Sequence, residues 1–280
     1  MQHRIKGKFD GNSSGNFGSV IVTRRLSRGL SLRGIYTYGK ALDVYSTAQS
    51  IAGGQTPTNT NIIQPDNFKA QRGRSDYDIH QQFSADGIWV IPANYDSAVL
   101  KNILGGWQLG GVWLLQTGLP FTVYTSAPFR PVFDLNGDVI GNTGGDYNAD
   151  GYNYDVPNVP SFGRHLSGRN KDEFLHGIFG PPSTAAAHFP APPLGSEGNL
   201  GRNTYDEPGY NNFNLNISKF FSVPWFFSER MKIEVKGEML NLFNRANLQF
   251  VSSDMTSGSF GQATNSQPAR TITIHVRASF

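Results

Sequence analysis

Apolar and polar residues alternate with a period of two along most of this chain, the pattern of strands with one greasy and one wet face. The clearest run is "TITIHVRASF". There Ile272, Ile274, Val276, Ala278 and Phe280 share one face, and Thr271, Thr273, His275, Arg277 and Ser279 share the other. "MKIEVKGEM" repeats the pattern, with Met231, Ile233, Val235, Gly237 and Met239 opposing Lys232, Glu234, Lys236 and Glu238. A helix turning every 3.6 residues or so would mix these sets, so both runs are predicted strands. "FNLNIS", "QFSADGIWV" and "WQLGGVWLL" alternate more weakly and predict three more, and "LSLRGIYTY" and "SVIVTRR" add two near the amino end. The sum is about seven strands, several close to the roughly ten residues that cross a bilayer at a tilt.

Connection lengths sharpen the picture. If Phe280 lies on the inner side, residues 26–30, 91–104 and 222–230 form short links at one end. The links at the other end, 40–76, 117–210 and 243–270, are long and rich in Gly, Asn, Ser and Pro. Short turns inside and long loops outside mark outer-membrane barrels, whereas loops of this length are uncommon in compact soluble domains. The expected fold is therefore all-β: an antiparallel up-and-down transmembrane β-barrel, here a partial barrel with long extracellular loops. A strand running to an aromatic last residue suits such a wall, because barrel backbones pair with one another and aromatic rings favour the interface. The competing expectation is a soluble extracellular β-sandwich that binds calcium, with carbohydrate as a further candidate ligand. It would shut Ile274, Val235 and Leu215 inside a core.

Composition agrees with the membrane reading. Charged residues make up 16% of the 280, aromatics 12%, and there are 32 glycines, which suits strands, turns and interfacial rings. A net charge of +3 without a dense Lys/Arg run argues against nucleic acid as a partner. The absence of cysteine rules out disulfides and thiolate metal sites. No apolar stretch reaches the length of a membrane helix, and "MQHRIKGKFDGNSSG" has no apolar core of the kind a signal peptide needs. Neither observation bears on a β-barrel.

The best motif for chemistry is "DYNADGYNYD". Asp146, Asn148 and Asp150 alternate as hard oxygen donors, Gly151 supplies a sharp turn, and Asp155 could close the shell around one Ca²⁺. "DLNGD" (Asp134, Asn136, Asp138) repeats the first half. An EF-hand is not expected, since Pro157 stands where its bidentate Glu belongs. The alternative is a solvated loop of Asx turns. His3, His80, His165, His176, His188 and His275 are scattered without ligand spacing. The row from Lys232 to Glu238 reads as paired charges on a wet wall, and no serine sits in a nucleophile elbow, so no enzyme activity and no required cofactor is expected. Trp89, Trp107, Trp113, Trp225, Phe226 and Phe227 are candidates for an aromatic girdle, with rings facing outward.

Five stretches also carry a resemblance: "RGRSDYDIHQQFSADGIWVIP" (72–92), "GGWQLGGVWLLQTGLPFTV" (105–123), "GNLGRNTYDEPGYNNFNLNISKFF" (198–221), "KIEVKGEMLNLFNRANL" (232–248) and "TIHVRASF" (273–280). In order and spacing they resemble the carboxyl-terminal barrel of TonB-dependent outer-membrane receptors, especially the Oar-like group. The resemblance implies a cell outer membrane location in a Gram-negative host, contact with outer-membrane lipid, and uptake of a large ligand of unknown identity. It also implies coupling to the TonB complex through a plug domain that residues 1–280 do not contain. On this expectation the whole of 1–280 is the last portion of a receptor, without the plug and most of the strands.

Overall fold

The computed structural model describes residues 12–46, 69, 71–92, 96–151, 154–164, 166, 170–222 and 232–279. Seven long strands run through one sheet: β1 (Ser13–Ser27), β2 (Leu30–Asp43), β3 (Gln81–Val90), β4 (Trp107–Gln116), β5 (Tyr210–Ser222), β6 (Lys232–Leu240) and β7 (Thr271–Ser279), with the two-residue strand Gly73–Arg74 added at the end of β2. Each pairs antiparallel with the next, giving an uninterrupted meander with β1 and β7 at its ends. The all-β, up-and-down expectation holds, and the strand count matches.

Register carries the alternation from β2 to β7, while on β1 the partner of Leu32 is Arg24. Directly paired residues point the same way, so Leu32, Gly87, Gly111, Leu215, Met239 and Ile272 form one apolar row across six strands. Gly87 lets this row close up, because a Cβ there would stand 2.4 Å from Leu32 Cδ2. The same face holds Val22, Ile274 and Val276, which are 68%, 72% and 71% exposed. Among the described residues the remaining sheets are two-stranded, and no second sheet closes over this face. The sandwich alternative is thereby corrected: Ile274 and Val235 are exposed and Leu215 is only half-buried. Apolar surface on this scale is unstable in water and stable against hydrocarbon.

The opposite face carries the polar partners. Arg33 pairs with Asp86 at 2.8 Å, Gln82 donates to Gln116 at 3.4 Å, and Glu238 meets both Lys236 and His275. Its alternation is incomplete, for Ile21 pairs with Ile35, and Ile88, Val112 and Phe220 also point this way.

The two ends of the sheet differ sharply. At one end β1 and β2 join through Arg28 and Gly29, both at positive φ (51° and 80°), the geometry that matches strand twist in a two-residue hairpin. β3 and β4 join through a connection holding a short helix, Ala98–Leu104. The link between β5 and β6, with Trp225, Phe226 and Phe227, and the terminal Phe280 lie outside the described residues.

At the other end the described parts of the long connections fold together; residues 47–68 and 70 of the 40–76 link lie outside the described residues. Residues 117–209 and 241–270 build a cap with its own hydrophobic core, centred on Phe121, Phe179, Phe189, Leu200, Tyr205 and Phe260. Phe179 packs against five rings, those of Phe121, Phe162, Phe189, Tyr205 and Phe260, at centroid distances of 5.0 to 6.3 Å. Two short strand pairs, Pro120–Phe121 with Tyr205–Asp206 and Leu248–Val251 with Ala263–Ser266, stitch it, and Asn170 caps the helix Lys171–His176 by accepting from Glu173 N. These segments are folded structure rather than bare loops, because they bury enough aromatic area to offset the entropy of ordering them.

Candidate functional site

Three constellations stand out: one where the cap meets the sheet, one inside the cap and one on the apolar face of the sheet. The first is a buried polar latch. Arg202, only 8% exposed, donates to the Asp43 carbonyl at 3.1 Å, to the Asp43 carboxylate, to Ser46 Oγ at 3.1 Å and to Asp76 Oδ1 at 3.2 Å. Asn203, at φ 54°, adds Nδ2 bonds to Asp76 Oδ1 (2.6 Å) and to the Arg74 carbonyl (2.7 Å), and it exchanges two bonds with Thr122. Arg74 in turn holds Asp78 at 2.8 Å and Asp206 at 2.7 Å, while Asp78 accepts from Ala41 N at 2.7 Å. The latch therefore rivets the cap to the end of β2 and to residues 71–80. Burial pushes the Asp76 carboxyl above its usual range, even though Asn203 and Arg202 both act to lower it.

The second is the acidic loop. Asp146, Asp150 and Asp155 each place a carboxylate oxygen within 4.8 Å of the others. Asp146 accepts from Asp150 N at 3.2 Å and Gly151 N at 3.1 Å, which bends the chain through Ala149 (φ 60°) and Gly151 (φ 86°). Asp155 is fully buried; its Oδ2 accepts from Tyr147 N and Asn148 N, while its Oδ1 has no hydrogen-bond partner. Asn148 turns its oxygen to Asp150 N at 3.0 Å and its NH₂ to Asp150 Oδ2 (3.1 Å) and Glu197 Oε2 (3.4 Å). Glu197 also accepts from Val156 N at 2.6 Å. Burial, then the charges of Asp155, Asp150 and Asp146, push Glu197 up to about 8. Burial first, with Asp146 and Asp150 adding to it, raises Asp155 to about 6.

Of the sequence-predicted ligands, the loop thus unites the three aspartates, with Asn148 beside them as a donor. Glu197 was missed, for a lone acid in "LGSEGNL" carries no local pattern. "DLNGD" behaves as a turn: half-buried Asp134 accepts from Asn136 N at 2.8 Å and Asp138 N at 2.9 Å. Among the described residues no histidine joins a comparable ligand group. His80 instead meets Asp78 at 2.7 Å, and His275 meets Glu238.

The third constellation lies on the apolar face. Towards the cap, Trp113 stands edge-on between Phe83 and Phe213 at 5.9 and 6.5 Å, and its indole donates to Asn211 at 3.0 Å. Towards the short turns stand Trp89, Trp107 and Phe221. Lys219 shares this face, buried, with its ammonium donating to the carbonyls of Ile103 (2.6 Å) and Gly105 (3.0 Å) and lying over the Trp107 and Phe221 rings. The carbonyls freed at a helix end suit a cation. From the Phe83 row to the Phe221 row is about ten residues, roughly 34 Å along a strand. A tilt of about 40° shortens this to roughly 26 Å, close to the apolar band of about 25 Å between the aromatic girdles of outer-membrane barrels.

Comparison with known proteins decides the setting of this band. A family model described as an outer membrane beta barrel domain matches residues 6–273. The chain belongs to that family. Neither the curated proteins nor the solved structures offer a match. As an outer membrane beta barrel domain, the chain resides in the outer membrane, and its apolar face meets outer-membrane lipid. In such barrels the short turns are periplasmic and the long connections extracellular, which places the cap, the latch and the acidic loop outside the cell.

Proposed function

We propose that this chain is the carboxyl-terminal wall of a TonB-dependent outer-membrane receptor of the Oar-like group. Its cap forms part of the surface that captures a large extracellular ligand. The observation that carries this reading is the buried latch. It is built from "RGRSDYD" and "GRNTYD", two of the stretches on which the receptor resemblance rests, and it fixes a folded cap above the wall. A cap held at a defined height suits ligand capture better than a passive pore, whose loops need no such anchoring. The activity is binding and gating without bond-making, so no side chain is assigned a catalytic role. Energy would reach the wall through a plug domain contacting TonB.

The test is capture of the native protein from detergent-solubilised outer membranes on immobilised TonB periplasmic domain. Recovery that a TonB-box peptide competes away supports the receptor reading. If the protein stays in the flow-through while its wall remains folded by heat-modifiable migration, the receptor reading is wrong and a TonB-independent barrel remains.

A further inference from the structure

Four carboxylates converge in the cap, and the proposed receptor role explains none of them. Asp146, Asp150 and Asp155 already bring one oxygen each within 4.8 Å of the others. That is about twice a Ca²⁺–oxygen distance of 2.3–2.6 Å, the span expected of ligands on one ion. Glu197 stands just outside that trio and comes from another part of the chain, one Asn148 amide away from Asp150, whose carboxylate the same NH₂ group also meets. The loop and the Glu197 segment are already in register, since Gly195 N donates to the Tyr147 carbonyl at 2.9 Å and Gly198 N to the Val156 carbonyl at 3.1 Å.

An acidic cluster alone is not a site. The second observation is Asp155 Oδ1, which is buried from solvent and accepts no hydrogen bond. Leaving a buried carboxylate oxygen without a donor is costly, and a metal ion is one of the few partners that satisfies it. Asp146 remains able to ligate, since each carboxylate oxygen has a second lone pair beyond the one that receives Asp150 N or Gly151 N. The donors are all oxygen and mostly carboxylate, which selects a hard cation over zinc or copper.

We propose that Asp146, Asp150, Asp155 and Glu197 hold one calcium ion that clasps the 146–155 loop to residues 195–198 of the cap. The ion neutralises carboxylates that otherwise repel one another and gives Asp155 Oδ1 its missing partner. A site of this charge facing the outside of the cell falls among the weaker calcium sites, with a dissociation constant of about 0.1–1 mM.

The experiment uses the full chain in detergent micelles, stripped with chelator and titrated with CaCl₂ in a calorimeter, alongside limited proteolysis of the cap. The expected result is one saturable calcium per chain and slower cleavage within 134–160. Asp155→Asn keeps an acceptor for the Tyr147 and Asn148 amides, and Glu197→Gln keeps one for Val156. Each should weaken calcium binding at least about tenfold, as loss of a ligand exceeds the loss of its supporting partners. Asp134→Asn, a turn acceptor outside the cluster, should bind as the parent does. Should Asp155→Asn not fold, exposed Asp150→Asn decides the matter. The proposal is overturned by no saturable binding up to about 10 mM calcium, tenfold above the weakest such modules. It is equally overturned by undiminished binding in Asp150→Asn and Glu197→Gln. Equal protection by MgCl₂ overturns the assignment to calcium.

Discussion

The wall and the cap solve the same problem, what to do with apolar side chains, in opposite ways. Wall strands turn Val22, Ile274 and Val276 outward, where lipid replaces a core. The cap turns Phe121, Phe179 and Phe260 inward and buries them almost completely, as a water-soluble domain would. The medium decides, because an apolar face costs nothing against hydrocarbon and a great deal against water. A single chain therefore holds one region with no interior of its own beside another with a dense interior. The latch around Arg202 is their common boundary.

The contrast is most open to attack at Phe179. Phe179→Ala should cost the cap about 3–5 kcal/mol, the usual loss for a buried ring. Hydrogen exchange should show residues 117–209 opening while amides of β4 and β5 keep their protection. Loss of protection in both regions alike would mean that cap and wall are one cooperative unit. Arg202→Ala, at about 3–5 kcal/mol for leaving Asp43 and Asp76 buried without their cation, should release the cap from residues 71–80 with its aromatic core still formed. Intact near-ultraviolet ellipticity beside faster exchange at 71–80 would demonstrate this. On the wall, Ile274→Arg should destabilise the folded state, followed by unfolding from lipid vesicles, by about 2–4 kcal/mol near the bilayer midplane. Its neighbour Thr273→Arg, which faces the bore, should stay within about 0.5 kcal/mol. Similar losses for both would contradict the assignment of faces.

A pH dependence confined to the cap should also appear when stability is measured in chelator. Glu197 is raised to about 8 and Asp155 to about 6, both mainly by burial. Folded values above unfolded ones mean that the folded cap binds extra protons. Its stability therefore falls as pH rises from the ordinary carboxylate range towards about 8. Thermal melts of the cap at about pH 5 and about pH 9 should rank the lower pH as more stable, and a flat response would remove the strain assigned to the cluster.

Much of the wall was legible in the sequence, because a period of two is written locally into each strand and the link lengths order the strands. The incomplete faces of β1, β3 and β4 were harder to read, since Ile21, Ile88 and Val112 face a bore where water, not the backbone, sets the preference. The cap was hidden for a different reason. Its rings come from Phe121, Phe179, Tyr205 and Phe260, far apart in the chain and without any period. The acidic loop divides along the same line. Asp146, Asp150 and Asp155 stand within one turn and announce themselves, whereas Glu197 and the Arg202 latch exist only once distant segments meet.

Lys219 has a consequence for how deep the wall sits. Its ammonium is tied to the carbonyls of Ile103 and Gly105 at the periplasmic rim. Sinking the sheet by one pair of residues, roughly 7 Å of strand, would drag that charge into the acyl chains together with the helix end that holds it. The residue thus works as a float line, setting the draught of the barrel in its membrane.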